Sequence, residues 1–223
     1  MKRYLPLVFI GGVALVTLGG ATLLYRAKRL PAFAVTKNQD HSEAGAAEPM
    51  HVLGRLSASV TIEEFGDFQC PPCGMLSEPI NQLERDYESR LCVIFRQFPL
   101  RIHEHAQEAA VASEAAGLQG RFWQMHDVLY REQSVWSKAA DVRPLFNSYA
   151  AMLGLNVDRF NKDMESDAVK KRVAADQEQG ARLGVTVTPT IFVNNRALPA
   201  ASADPPGLRA AVEAAMDVKS PGS

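Results

Sequence analysis

The sequence predicts an α/β domain that carries an inserted helical block and follows one N-terminal transmembrane helix. Three observations predict it: an uncharged apolar run at residues 4–25, a strand–helix–strand pattern over residues 60–98, and about eighty residues of helical periodicity before β-type sequence returns at residue 185. The 223-residue chain is 47% hydrophobic and 22% charged, which suits one sizeable globular domain with an appendage.

Residues 4–25 (YLPLVFIGGVALVTLGGATLLY) hold no charged side chain. As a helix rising about 1.5 Å per residue, they span the roughly 30 Å hydrocarbon core of a bilayer. A cleaved signal peptide has a shorter apolar core, about 7 to 15 residues, closed directly by small residues. Here Arg26-Ala27-Lys28-Arg29 follows instead, and the Ala32-Phe33-Ala34 triplet that resembles a cleavage site comes only after those charges. Residues 1–30 therefore read as a retained anchor with basic flanks, removal of residues 1–34 being the alternative. Lys2 and Arg3 nearly balance Arg26, Lys28 and Arg29 across the span, so charge does not orient it. Residues 31–55 lack sustained periodicity and read as a flexible tether with a reach on the order of 25 Å. His41 and His51 within it read as solvated.

The formal net charge of -1 hides an asymmetry, because the first thirty residues contain basic side chains and no acid, while the rest holds all 25 acidic ones. An acidic body is a poor partner for polyanions, so nucleic acid is excluded as an expected ligand.

The folded domain is expected over residues 56–218, with a disordered tail at 219–223. Val60-Thr61-Ile62 and Phe65 are β-branched and aromatic and predict a buried strand. Met75, Leu76, Ile80, Leu83 and Tyr87 recur at helical spacing, giving a helix over about residues 70–87. Residues 91–98 (LCVIFRQF) predict a second apolar strand closed by Pro99, which makes the pair a parallel unit. The helical insertion, about residues 103–183, contains helices expected at 106–118, 122–130, 142–153, 157–164 and 168–183. Gly154 and Gly184 stand where left-handed helix stops occur. Residues 185–193 predict a strand, Asn194-Asn195 a hairpin turn, residues 196–198 a short returning strand and residues 205–218 a last helix.

The chemistry lies in Cys70-Pro71-Pro72-Cys73. Two cysteines three apart at a helix start can close a disulfide, and the helix N-terminus favours a thiolate on the first. That makes Cys70 the exposed nucleophile and Cys73 the buried resolving thiol. Exchange then runs through a mixed disulfide between Cys70 and a substrate cysteine, which Cys73 resolves or, in reverse, generates. A zinc site would need two further ligands at suitable spacing, which the sequence does not offer, so no metal is expected. The alternative of another class is a soft-metal module in which Cys70 and Cys73, helped by Met75, hold Cu(I). Cys92, alone on an apolar strand, reads as a small buried hydrophobe.

The stretches SVTIEEFGDFQCPPC, FRQFPL, GRFWQMHDVLY and LGVTVTPTIFVNNR occur in that order, and the chain resembles the DsbA-like thiol-disulfide oxidoreductases of the thioredoxin fold, in their membrane-anchored bacterial branch, over about residues 55–218. The resemblance implies a thioredoxin core with a helical insertion, Cys70 as nucleophile and Cys73 as its partner. It places Pro189 at the family's cis-proline, beside the active-site disulfide, with Thr188 lining the substrate groove. Independently, a proline between two strand-like segments is out of place in a regular central strand. Glu64 matches an acidic position beneath the disulfide that assists proton transfer at the buried cysteine. Glu63 would then face the other way, because strand side chains alternate.

Asp67 reads as a turn residue, His103 and His105 as surface caps of the following helix, and Trp123 and Trp136 as packing of the helical block. The Pro71-Pro72 dipeptide supplies no histidine to the thiolate, and Pro72 removes an amide donor, so both are expected to raise the Cys70 pKa and weaken oxidising power. The resulting expectation is an oxidoreductase that introduces disulfides into exported or secreted proteins, with an anchored reductase or isomerase as the alternative. Its redox-active disulfide replaces any prosthetic group. The domain belongs on the extracytoplasmic side of the cell membrane, where disulfides persist, and a membrane redox partner would recycle it.

Overall fold

The computed structural model describes residues 51–217 of the chain. The expected anchor, His41, nearly all of the tether and the tail lie outside the described residues.

The two β-rich runs pair at the centre of a five-stranded sheet. Strand β1 (Val52–Gly54) is followed by β2 (Val60–Gly66), helix α1 (Pro71–Tyr87) and β3 (Leu91–Gln97). The parallel ladder of β2 and β3 runs in register from Val60 opposite Leu91 to Gly66 opposite Gln97. After the helical block come β4 (Thr190–Val193), β5 (Arg196–Ala197) and a terminal helix, and the sheet order is β1-β3-β2-β4-β5 with every other pairing antiparallel. Every residue of β3 is buried. A strand covered on both faces reads as a continuous apolar run, which is why its sequence lacks alternation. Asn194 and Asn195 both have positive φ (48° and 62°), the geometry that a two-residue hairpin turn requires.

The inserted block contains α2 (Ala106–Gly117), α3 (Phe122–Arg131), α4 (Gln133–Trp136), α5 (Arg143–Met152), α6 (Val157–Glu165) and α7 (Asp167–Arg182). The chain then closes with α8 (Pro205–Asp217). Alanines 106, 109, 110, 112, 115 and 116 of α2 are all buried, and their small side chains let neighbouring helices approach closely. Asn156 and Ser166 cap α6 and α7 by accepting from the amides of Arg159 and Val169. One apolar cluster joins α1 and α8 to the sheet through Leu76, Ile80, Leu83, Val93, Ile191 and Leu208. A second fills the helical block around Phe68, Phe95, Met125, Trp136, Phe146 and Phe160. Arg96 on β3 fastens the two parts, donating to Glu63 (2.8 Å) and to Asp176 of α7 (3.2 Å).

Three expectations are corrected by the structure. The folded domain begins before residue 56, because Val52–Gly54 forms the edge strand β1, antiparallel to β3. His51 is not solvated: it is buried, its Nε2 lies 2.8 Å from both carboxylate oxygens of Glu114, and its ring stacks on Phe122 at 3.3 Å. A three-residue strand is too short to show alternation, and its partners, including the Trp123 indole that donates to the Val52 carbonyl, lie far along the chain. The third correction concerns residues 185–193, of which only Thr190–Val193 is strand. Pro189 has no N–H to place in a ladder, and the Thr188–Pro189 peptide is cis.

Candidate active site

The site is built where β2 ends and α1 begins. The turn between them is closed by the Cys70 amide donating to the Asp67 carbonyl (3.1 Å) and by the Gln69 amide donating to Asp67 Oδ1 (2.7 Å). Cys70 is the N-cap of α1, in an extended conformation without a side-chain capping bond, and Pro71 and Pro72 fill the first helical positions, where a missing N–H costs nothing. Gln133 braces this turn from α4, its Nε2 donating to the carbonyls of Phe68 (2.6 Å) and Cys70 (3.0 Å). A side chain at Gly74 would start 3.0 Å from Gln133, so glycine there allows the brace.

Both cysteines are free thiols, Cys73 with no exposure and Cys70 with 5%. Cys70 is therefore less open than its expected role as an exposed nucleophile suggests, because the residue 188 loop covers it. Its Sγ donates to the Thr188 carbonyl at 3.2 Å. Thr188, whose peptide bond to Pro189 is cis, thus stands directly against Cys70, 118 residues along the chain.

The two thiols are electrostatically unequal. The Cys70 pKa is lowered to about 6, chiefly by the hydrogen bond from the Cys73 side chain, with help from Thr188 and the Cys73 backbone amide; burial and the negative charge of Asp67 oppose it. The Pro-Pro dipeptide was expected to have the opposite effect. Pro72 does remove one amide, but the net direction is downward because Cys73 stabilises the Cys70 thiolate through both its side chain and its backbone amide. Burial holds the Cys73 proton on, reinforced by its bond to Cys70 and by the charge of Glu64.

Glu64 is 2% exposed, and its Oε1 has no hydrogen-bonding partner among the described residues. Burial, then the Cys70 charge, pushes its pKa up to about 8. Glu63 points to the other face and pairs with Arg96.

Further residues around the turn carried no local signal. Asp67 is a turn residue whose carboxylate is also fully buried, accepting from the Leu100 amide (2.9 Å) and meeting His103 Nδ1 at 2.7 Å. His105 stands at the N-cap position of α2 but makes no side-chain capping bond and is buried rather than on the surface: its amide donates to Gln69 Oε1 (2.6 Å), and its ring Nε2 lies 2.9 Å from the Ala139 carbonyl. Tyr130 of α3 packs its ring on Phe68, and its buried hydroxyl loses its proton only well above the ordinary range, first through burial and then through the charges of Cys73 and Glu64. Cys92 is buried in β3 opposite Gly54, away from this site. Among the described residues, no group of three or more His, Cys, Asp or Glu is placed to hold a metal ion.

Comparison with known proteins agrees with this geometry. A family model described as Thioredoxin matches residues 46–214. The fold is similar to that of oxidised BdbD from Bacillus subtilis, with a TM-score of 0.66 at 23% identity over 74% of this chain and 92% of that one. It is similar too to a thioredoxin-like oxidoreductase from Silicibacter pomeroyi DSS-3, with a TM-score of 0.62 at 25% identity over 75% and 92% of the two chains. A curated relative named Na(+)/H(+) antiporter NhaA 1, from Salinispora arenicola, is 39% identical over 148 residues, covering 66% of this chain and 22% of that protein. The match thus covers well under two thirds of such a relative's length. On the family match, the chain belongs to the thioredoxin family, and its thioredoxin core carries a helical insertion.

Proposed function

We propose that the protein is a thiol-disulfide oxidoreductase that donates disulfides to exported or secreted cysteine-containing proteins through Cys70 and Cys73. The observation that carries this reading is the inequality of the two thiols: Cys70 ionises near pH 6 at the edge of the site, while Cys73 is sealed and keeps its proton. A stabilised Cys70 thiolate favours the reduced pair, which makes the disulfide form more oxidising.

In the donating direction a substrate thiolate attacks Cys70 Sγ of the disulfide, the Cys70–Cys73 bond breaks, and the Cys73 sulfur leaves with the electron pair and takes up a proton. Glu64, with a proton affinity near neutrality in the same buried space, is suited to deliver that proton. A second substrate thiolate then attacks its own half of the mixed disulfide and expels Cys70 as a thiolate. Two electrons have passed from the substrate dithiol to the cysteine pair. Thr188 and Pro189 offer the backbone edge against which the substrate chain lies, and no prosthetic group is required.

Residues 4–25 would anchor the domain with its site on the extracytoplasmic side, and a membrane redox partner would reoxidise Cys70 and Cys73. The similarity to part of chains named Na(+)/H(+) antiporters supports a place beside a membrane. Equilibrating the full-length Cys92→Ala protein against glutathione buffers tests the direction. A reduction potential near about -120 to -180 mV supports donation, and one near about -270 mV makes the protein an anchored reductase instead. Cys70→Ser must abolish dithiol oxidation. Copper retained stoichiometrically with negligible thiol exchange would replace the enzyme reading with that of a metal module.

A further inference from the structure

The loop between β3 and α2 is strapped to the active-site turn. Its Leu100 amide and His103 ring both reach Asp67 Oδ2, its His105 amide reaches Gln69, and Gln177 of α7 holds its Pro99 carbonyl (3.0 Å). The two members of the central pair differ in access: the Asp67 side chain is fully buried, whereas His103 is 19% exposed. A buried carboxylate three residues before the nucleophile opposes a thiolate there, and a positive charge on its partner cancels that opposition.

We infer that the Asp67–His103 pair is the electrostatic control of Cys70, in which His103, through Asp67, acts as the positioning residue that supplies the positive charge Pro71-Pro72 cannot. This inference rests on the reading of Cys70 as the exchanging thiol, though not on the direction of electron flow.

The other groups around the pair leave His103 as the variable one. Glu64 of β2, Cys73 of α1 and Tyr130 of α3 share the buried space with Asp67. Asp176 of α7 is engaged by Arg96 and Arg172. Arg101 and Glu104 flank His103 on its own loop and are exposed, where water screens them. A positive charge beside Asp67 compensates its negative charge and favours the Cys70 thiolate, whereas a neutral partner leaves Asp67 to oppose it.

The test follows the Cys70 thiolate of the full-length reduced protein by ultraviolet absorbance and by alkylation rate, in His103→Gln, His103→Lys, Asp67→Asn and the Asp67→Asn/His103→Gln double variant. Glutamine keeps a donor for Asp67 but not the charge. His103→Gln should raise the Cys70 midpoint enough to cut the thiolate fraction about three- to tenfold below that midpoint, a shift of about half a unit to one unit. His103→Lys should restore it, and Asp67→Asn should lower it below that of the unaltered protein. In the Asp67→Asn background, His103→Gln should have no further effect, since the coupling has been removed. An unchanged midpoint in His103→Gln, or the same shift with and without Asp67, overturns the inference, as does failure of His103→Lys to rescue. A protein in which alkylation does not follow Cys70 at all would instead remove the exchange reading itself, so the two failures are distinguishable.

Discussion

Cys70 Sγ and the carbonyl oxygen of Thr188 lie 3.2 Å apart, joining the N-cap of α1 to the loop that precedes β4. Under the proposed reaction this contact sets the attacking sulfur beside the Thr188 backbone, so a mixed disulfide at Cys70 would form there rather than in open solvent. This relationship sets the chemistry apart from that of a simple exposed thiol.

The first expectation concerns capture. Cys73→Ser leaves Cys70 able to attack but unable to be resolved, so a mixed disulfide with a cysteine peptide should accumulate. Non-reducing electrophoresis and mass spectrometry would detect it, and the adduct should map to Cys70. Adduct on Cys92 in its place would contradict the assignment, since Cys92 is buried and burial raises its pKa.

Selective alkylation measures the inequality of the thiols. In the reduced protein the rate of reaction at Cys70 should rise through a midpoint near pH 6, because the attacking species is the thiolate. Cys73 should stay unreactive until the protein unfolds. A single midpoint near pH 9, the ordinary thiol value, would mean that the Cys73 hydrogen bond does not stabilise Cys70.

Glu64 ties pH to stability. Its pKa is raised by burial to about 8 from 4.5, so the folded state holds a proton that the unfolded state releases between those values. Its contribution is present below the lower value and is lost as pH rises through the upper one. Glu64→Gln should remove that decline, making the variant more stable than the parent at about pH 9 by on the order of 3 to 5 kcal/mol, with little difference at about pH 4. Denaturant unfolding at the two pH values checks the sign. The same substitution should slow exchange at Cys73 by depriving its sulfur of a proton donor.

At the start of the domain, His51 and Glu114 form a buried pair whose histidine also stacks on Phe122. Glu114→Ala leaves the ring without its partner and strips an acceptor from Gln97, so it should destabilise the fold by about 3 to 5 kcal/mol. Hydrogen exchange should show the loss first at the Phe95 amide, which donates to the His51 carbonyl at 3.1 Å. Protection there equal to that of the parent protein would show that β1 is held by other contacts.

The sequence by itself determined what is local. Apolar runs and helical spacing placed β2, β3, α1 and most of the inserted helices, and the spacing of Cys70-Pro71-Pro72-Cys73 placed two cysteines together at the start of α1. Side-chain alternation separated Glu63 from Glu64 on β2. Only the tertiary structure decided the contacts that span large separations, because no periodicity encodes a partner tens of residues away. It joined Thr188 to Cys70, Gln133 to the turn, His103 to Asp67 and His51 to Glu114. It also showed that the net shift of Cys70 is downward, with Cys73 its chief cause. The ionisation of Cys70 depends on which donors and charges end up within a few ångströms of its sulfur: Cys73 is brought there by the start of α1 itself, whereas Thr188 is brought there only by the tertiary fold.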